Sequence, residues 1–201
     1  AHHSDDQIET FLIRLSRGSG IQGLSSMKLL YKIGKNIKIL RPLLDSKKKD
    51  LIYISRHIFG KIFQDPSNKN EKYLRTKIRK LIKLFEKSGI KHEQIIKSIN
   101  NLGDTSNTLN LFLEKIYKDN VKKNRNKTVL DFQNLKKETS ETRLKVLSRA
   151  IKESSKAYYP PRSKKVLNLI RQLSLNGQKK LTLGGCLITK KGQYIEIKKL
   201  A

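Results

Sequence analysis

Apolar residues near the start of the chain recur at helical spacing. The i, i+3, i+4, i+7 series predicts a helix with one apolar face, and it is formed by Ile8, Phe11, Leu12 and Leu15. Ser4 and Gln7 precede it with the spacing of a capping box, which predicts Ser4 as the N-cap. Gly18 follows the last apolar position, and we expect it to end the helix in the left-handed conformation.

Most of the remaining chain has the same helical periodicity. Further helices are predicted at 46–63, from the turn at 65–68 to about 87, around 95–99, and at 105–116, 140–153 and 163–173. A short strand is predicted at 37–40. Alternating residues at 181–188 and 193–197, joined by Lys190-Lys191-Gly192, predict a closing β-hairpin. The fold class that follows is mainly α.

Turn residues divide the chain into two predicted domains. Residues 65–68 read Asp-Pro-Ser-Asn, a strong turn signal. Gly89 ends the helix that follows, so we place the boundary between 1–88 and 89–201. Residues 118–127 are rich in lysine and are interpreted as a basic linker.

Charge narrows the class of partner. The chain of 201 residues has 45 Lys and Arg against 17 Asp and Glu, a formal net charge of +28. Such an excess predicts a polyanionic partner, although an A/T-rich genome also raises the lysine content and accounts for part of it. Because no apolar run approaches the roughly 18 residues of a membrane helix, a nucleic acid is favoured over a membrane surface.

Cysteine usage and the first residues point to a reducing cytoplasm. Cys186 is the single cysteine, which excludes a disulfide framework and a cysteine zinc cluster. The first residues lack the basic and apolar regions of a signal peptide. Ala1-His2-His3 can be read as the remnant of a purification tag, but the residues that follow argue for a native segment.

Those following residues carry an irregular series of polar and glycine positions. Residues 2–24 read HHSDDQIETFLIRLSRGSGIQGL, which resembles the signature HHxDDQxETxLxRLxRGxGxxGL of tRNA(Ile)-lysidine synthetases, a PP-loop ATP pyrophosphatase family. Four later segments follow in the family's order. They are Arg41-Pro42-Leu43-Leu44, residues 65–68, residues 73–79 (resembling YxRNxIR) and Leu183-Gly184-Gly185-Cys186.

Three positions depart from the family pattern. The chain contains no SGGxDS phosphate-binding loop, Ser25 replaces a glycine, and Thr76 replaces an asparagine. Without that loop we expect an N-terminally truncated chain that is unable to make lysidine by itself.

The resemblance implies a fold and a reaction. The fold is the C-terminal remnant of an α/β PP-loop nucleotide-binding domain, followed by a small helical tRNA-binding domain that ends in a β-hairpin. ATP, with Mg²⁺, would adenylate C2 of the wobble cytidine in a tRNA(Ile) with a CAU anticodon, and free L-lysine would displace AMP. The implied partners are tRNA(Ile), L-lysine and ATP, and a homodimer stays open.

An amino-acid pocket for lysine needs carboxylates for its ammonium group. Asp6 and Glu9 are three apart on the first predicted helix and therefore share a face. Arg75 is expected to bind the α-carboxylate of lysine with two hydrogen bonds. Stabilisation of the helix N-terminus by acidic residues explains Asp6 and Glu9 equally well on spacing alone, and the surrounding signature decides for lysine.

Neighbouring residues are expected to act on ATP and on protons. His2 and His3, with Asp6, are catalytic candidates: the histidines either contact ATP or the adenylate, or assist proton removal from the attacking amine. Two surface histidines on an ordinary loop are the alternative. Arg17, Gly18 and Ser19 are expected to contact phosphate or adenylate through a guanidinium and free backbone N–H groups. Asp6 as a Mg²⁺ ligand ranks below lysine binding, and no protein-bound zinc site is expected.

Basic residues beyond this region are expected to hold the tRNA by its phosphates. They are Arg79, Lys122, Lys123, Arg125, Arg162, Lys164 and Lys165. A solvated charge run, or a salt bridge for Arg79, is the alternative. Tyr158 and Tyr159 either stack on a base or pack against the adjacent prolines.

Two other functions compete with the ligase. A non-catalytic RNA-binding protein would use the basic helices alone. A PP-loop thiolase acting on tRNA commonly uses paired cysteines, which the single Cys186 argues against.

Overall fold

The chain folds into two compact units. The computed structural model describes residues 2–33, 37–63, 72–175, 177 and 179–200. Unit 1 comprises residues 1–108 and unit 2 comprises residues 109–201. The division falls inside a helix, whereas the sequence-based boundary lies between 88 and 89. Residues 65–68, the predicted turn, lie outside the described part.

Unit 1 is mostly helical, as the periodicity predicts. Its elements are α1 (Ser4–Leu15), α2 (Ile21–Leu24), β1 (Leu30–Ile33), β2 (Ile37–Leu40), α3 (Lys48–Phe59), α4 (Leu74–Lys87) and the first part of α5 (His92–Asn120). β1 and β2 form a two-stranded antiparallel sheet. The two short helices predicted after residue 90 are one continuous α5, because Gly103 weakens a helix by only about 1 kcal/mol and no proline interrupts it.

The core of unit 1 joins α1 to α4 and α5. Ile8, Leu12, Ile78 and Ile99 are buried together. Each such side chain contributes about 1.5–3 kcal/mol when fully buried. This contact positions the polar residues that share α1 and α4 with the apolar ones.

The start of α1 differs from the predicted cap by one residue. His3 is the N-cap, and its backbone N–H donates to Asp6 Oδ2 at 3.0 Å. The predicted pair of Ser4 and Gln7 is therefore wrong as a capping box, because the Gln7 side chain is used elsewhere. Gly18 has φ +66°, which confirms the predicted helix end.

Helix α3 is a second difference. Leu51, Ile54, Ile58 and Ile62 were predicted as its core face, yet no residue of α3 is buried and Ile58 is 67% exposed. Periodicity reports that a face is apolar, and a neighbouring element is needed to bury it.

Unit 2 combines helices with a sheet. Its helices are α6 (Phe132–Leu135), α7 (Ser140–Ser155) and α8 (Ser163–Ser174). Its strands are β3 (Val121–Lys123), β4 (Thr128–Asp131), β5 (Lys179–Leu183), β6 (Cys186–Lys191) and β7 (Tyr194–Lys199). They pair antiparallel in the order β3-β4-β7-β6-β5.

The sheet of unit 2 is larger than the predicted hairpin. The stretch 181–188 is two strands, separated by Gly184 and Gly185 with φ of +61° and +74°. Part of the predicted basic linker is β3, which pairs with β4. The terminal strands are therefore the centre and one edge of a five-stranded sheet, while the mainly helical character of the chain is confirmed.

The core of unit 2 lies where α7 and α8 pack together and against the sheet. Helix α7 contacts β7 and α8 contacts β5. Fully buried side chains from both layers fill the interface; they include Leu147, Ile151, Leu173, Ile188, Ile195 and Ile197. Within the described ranges, no helix is both long enough and apolar enough to cross a membrane.

Candidate functional site

Carboxylates gather in the first turns of α1. Asp5 and Asp6 occupy its first turn, where the exposed backbone N–H groups favour negative charge. The His3 ring lies against both, with Nδ1 3.6 Å from Asp5 Oδ2 and Nε2 3.5 Å from Asp6 Oδ2. His3 is mostly buried, whereas His2 is exposed.

Glu9 forms an ion pair with an arginine of α4. Arg79 Nε donates to Glu9 Oε1 at 2.5 Å, and the Glu9 side chain is only 4% exposed. The hydrogen bond that Arg79 donates to Glu9 raises the pKa of Arg79, and the charges of Glu9, Asp6 and Asp5 also raise it. Of the two alternatives for Arg79, RNA phosphate or salt bridge, the structure shows the salt bridge.

Arg75 lies one helical turn before Arg79 on α4. Residues four apart share a helix face, so Arg75 is on the side of α4 that meets α1, but it is exposed. No hydrogen bond or ion pair of the described residues joins Arg75 to Asp6 or Glu9. The structure thus brings Asp6, Glu9 and Arg79 together, and among the described residues it shows no hydrogen bond or ion pair for the Arg75 guanidinium.

Two polar residues of α1 hold the loop after α2. Gln7 Nε2 donates to Met27 O at 2.9 Å, and Met27 N donates to Gln7 Oε1 at 2.8 Å. Arg14 Nη1 donates to Gly23 O and Ser26 O. From the sequence, Gln7 was expected in a capping box and Arg14 had no expected role, although both belong to the signature series.

Gly23, within α2, permits a close approach to Ser19. A Cβ at this position would lie 2.7 Å from Ser19 Cβ, closer than two carbon atoms can pack. The glycine of the signature is therefore explained by sterics.

The backbone at Arg17, Gly18 and Ser19 differs from the expectation. Arg17 N and Ser19 N donate to Arg14 O, and Gly18 N donates to Leu15 O. The N–H groups predicted to be free for a phosphate are therefore engaged with the last turn of α1, and that part of the prediction is wrong. The Arg17 side chain is exposed.

A histidine that sequence reasoning missed borders the carboxylates. His92, at the start of α5, lies 3.5 Å from Ser4 Oγ and 4.0 Å from Asp5 Oδ2. Asp5 and His92 line a cavity of about 320 Å³ together with Lys47, Lys49, Glu86, Lys91 and Glu93. Only the packing of α5 beside α1 reveals this contact. Across the described ranges, no cluster of His, Cys, Asp and Glu is suited to a metal ion.

The basic candidates of unit 2 fall in two places. Lys122 and Lys123 are exposed on β3 and Arg125 is exposed in the turn that follows; Lys123 Nζ pairs with Glu153 at 2.5 Å. Arg162, Lys164 and Lys165 are exposed at the start of α8. Tyr158 and Tyr159 are exposed and contact each other edge to face, with ring centroids 4.5 Å apart.

A network of hydrogen bonds and ion pairs surrounds Glu153, which is partly buried. Tyr117 donates its hydroxyl to Glu153 at 2.7 Å, and Arg149 bonds both Glu153 and Glu114 while lying over the Tyr117 ring. Burial alone raises the pKa of the Glu153 carboxyl, but hydrogen bonds from Lys123, Arg149 and Tyr117 together lower that pKa to about 2. Burial and the bond to Glu153 raise the pKa of Tyr117.

Cys186 is structural. Its side chain is fully buried in the unit 2 core, and burial raises the pKa of its thiol. A buried thiol with a raised pKa is a poor nucleophile.

Comparison with known proteins adds two findings. Residues 1–85 match the family described as a PP-loop domain, and this range contains α1 and most of α4. The chain is also similar to proteins named tRNA(Ile)-lysidine synthase. The relative from Wolbachia pipientis wMel is 33% identical over 204 residues, covering 98% of this chain and 46% of the relative.

Two further relatives carry the same name. The one from Wigglesworthia glossinidia brevipalpis is 32% identical over 235 residues, covering 94% of this chain and 58% of the relative. The one from Orientia tsutsugamushi is 45% identical over 82 residues, covering 41% of this chain and 18% of the relative. The chain spans about half the length of the curated relatives that it matches from end to end.

Proposed function

Because the chain belongs to the tRNA(Ile)-lysidine synthase family, we propose that it supplies an amino-acid pocket and an RNA-binding unit to an ATP-dependent ligase. The ligase joins free L-lysine to C2 of the wobble cytidine in a tRNA(Ile) with a CAU anticodon. The observation that supports this most is the cluster of Asp6, Glu9 and Arg79 between α1 and α4.

The charges of this cluster suit a lysine ammonium. Arg79 pairs with Glu9, which leaves Asp5 and Asp6 as a surplus of negative charge at the same end of α1. In our proposal Asp6 and Glu9 hold the charged amine, and Arg79 orients Glu9 by its hydrogen bond. The exposed guanidinium of Arg75 binds the lysine carboxylate in two parallel hydrogen bonds.

Proton transfer is assigned to the residues before α1. Free lysine has a pKa near 10.4, so its ε-amine must lose a proton before it attacks. His3 lies within 3.6 Å of Asp5 and 3.5 Å of Asp6. We propose that His2 and His3 accept that proton, with Asp6 orienting His3.

We include ATP and Mg²⁺ as cofactors because the resemblance to tRNA(Ile)-lysidine synthases implies them. With the backbone of residues 17–19 already bonded, the exposed Arg17 guanidinium is the group left to meet a phosphate; Gly18 shapes its turn and Ser19 offers its hydroxyl. Mg²⁺ commonly binds through nucleotide phosphates and few carboxylates, so we propose that it enters with the triphosphate of ATP.

The tRNA is assigned to the basic surface of unit 2. Its contacts would be to phosphates, which position the RNA without reading its sequence. We also propose a cytoplasmic location, which a tRNA substrate supports, and a homodimer remains a proposal without a surface assigned to it. The second candidate, a non-catalytic RNA-binding protein, is favoured by the same exposed cations.

The test uses the product of the complete reading frame that encodes these residues. It is incubated with ATP, Mg²⁺, radiolabelled lysine and a tRNA(Ile) transcript, and label in the RNA is measured. We expect label with the wild type, and a Glu9→Gln variant that loses lysine use more than ATP binding. Glu141→Gln, an exposed carboxylate of α7, serves as the matched control.

The alternatives give different results. RNA binding without any lysine transfer supports the non-catalytic protein. An equal loss of lysine and ATP binding in Glu9→Gln contradicts the role given to Glu9.

A further inference from the structure

Unit 2 contains a cleft at one edge of its sheet. The cleft has a volume of about 480 Å³ and is bounded by the β3–β4 turn, the end of α7 and strand β7. Its lining is polar and mostly basic; we call it the basic cleft, and its members are Lys123, Asn124, Arg125, Asn126, Lys127, Thr128, Glu153, Ser154, Lys156, Ile197 and Lys199.

The cleft exists because the helix ends before the sheet does. Lys123, Thr128 and Ile197 are cross-strand neighbours on β3, β4 and β7. Lys199 lies two residues after Ile197 and so points to the same face of the sheet. Helix α7 covers this face until Lys156, whose φ of +57° ends the helix, and the sheet beyond that point stays open.

The cations of the basic cleft outnumber its acids. Its five basic side chains face one carboxylate, Glu153, which already accepts hydrogen bonds from Tyr117 and Arg149 and pairs with Lys123. Lys127 pairs with Glu196. Among the ion pairs of the described residues, none includes Arg125, Lys156 or Lys199, so these three charges repel one another without compensation.

The end of α7 does not cancel this positive charge. The carbonyls of a helix C-terminus carry partial negative charge. Here the carbonyls of Glu153 and Lys152 accept hydrogen bonds from Lys156 N and Ala157 N. The cleft therefore keeps a net positive charge.

We propose that the basic cleft binds backbone phosphates of the substrate tRNA. This rests on the proposed function, which makes RNA the polyanion that the protein meets, and it deepens that function by naming the phosphate site. Arg125, Lys156 and Lys199 supply the charge, and the amides of Asn124 and Asn126 donate hydrogen bonds to phosphate or ribose oxygens. An acidic polypeptide is the competing occupant.

The experiment removes the three uncompensated charges together. The test variant is Arg125→Gln, Lys156→Asn and Lys199→Gln, with Asn at 156 because it enters the left-handed region more readily than Gln. The control variant is Lys137→Gln, Lys180→Gln and Lys198→Gln, which removes the same charge elsewhere on unit 2. Lys198 precedes Lys199 and points to the other face of β7, and Lys180 lies on the opposite edge strand.

Binding of the full chain to a CAU tRNA transcript and to an unrelated tRNA is measured across salt concentration, and thermal unfolding checks that each variant is folded. Each phosphate contact contributes a slope of about 0.7–0.9 in the plot of log affinity against log salt. The test variant is expected to lower that slope by about 2 and to reduce the affinity for both RNAs at least about tenfold. The control variant is expected to change both quantities little.

The outcomes separate this inference from the proposed function. A folded test variant that binds RNA like the control overturns the cleft as a phosphate site and leaves the ligase proposal untouched. A wild-type chain that binds neither RNA contradicts the RNA-binding role of unit 2 itself. Displacement by polyglutamate but not by an excess of unrelated RNA assigns the cleft to an acidic protein and also overturns the inference.

Discussion

The choice between two arginines shows what happens at the scale of single residues. Arg75 and Arg79 are four apart on α4, so spacing gives both the same chance of meeting α1. The packed helices place Arg79, and not Arg75, against Glu9. Arg79 therefore fixes Glu9, and Arg75 stays available to a ligand.

The Glu9–Arg79 pair should contribute to stability. Glu9→Gln removes the buried carboxylate that the partly exposed Arg79 guanidinium pairs with, and we expect a loss of about 2 kcal/mol in the free energy of unfolding. Chemical denaturation of the chain measures it. The matched control is Glu93→Gln, whose pair with Lys47 has the same 2.5 Å distance but is exposed. Equal losses in both variants would contradict a special role for the buried pair.

Glu153 should make the stability of unit 2 depend on pH. Its pKa is about 2 in the folded protein against an ordinary value of 4.5, so the folded state prefers the ionised form. The stabilisation is fully present above the ordinary value and is lost as the pH falls towards 2. Because the side chain is partly exposed, we discount it to on the order of 1–2 kcal/mol.

The measurement compares Glu153→Gln with the wild type across pH. The difference in unfolding free energy is expected to be largest near neutral pH and to narrow steadily between pH 4.5 and pH 3, within the window that the pKa sets. Glu141→Gln should differ little from the wild type at any pH, since Glu141 is exposed. A difference for Glu153→Gln that is independent of pH would show that its effect is steric.

At the scale of elements, the turns determine where one strand ends and the next begins. The alternation of residues 181–188 is real, but two consecutive glycines with positive φ reverse the chain within it. A strand pattern continues across such a turn because the residues on both sides face the same core.

Gly184 and Gly192 allow a matched test of these turns. Both have positive φ, but a Cβ at Gly184 would lie 2.9 Å from Ile151 Cγ2 and from Pro161 Cγ, whereas Gly192 faces open space. Gly184→Ala combines backbone strain with overpacking and should cost about 2–4 kcal/mol, against about 1 kcal/mol for Gly192→Ala. Thermal and chemical unfolding check this, and similar losses at both positions would show that strain alone matters.

At the scale of the whole molecule, the net positive charge determines how the protein associates with RNA in our proposal. The net charge of +28 implies that association with RNA releases bound counterions. We expect the affinity for a tRNA transcript to fall at least about tenfold between roughly 50 and 200 mM salt, measured by fluorescence anisotropy. A control titration that replaces chloride with glutamate at fixed ionic strength separates screening from anion binding. An affinity that is insensitive to salt would remove the electrostatic basis of the RNA-binding proposal.

The amino-acid sequence by itself determined the helical character, the left-handed glycine at Gly18 after α1, the carboxylates on α1 and the similarity to tRNA(Ile)-lysidine synthases. These follow from local properties: side-chain periodicity, the freedom of glycine, and an irregular series of residue types. Only the tertiary structure decided that α3 is uncovered, that β3 to β7 form one sheet, that Arg79 pairs with Glu9, and that His92 borders Asp5. Those outcomes depend on which distant segments meet, and contacts between residues far apart in the chain leave no local pattern.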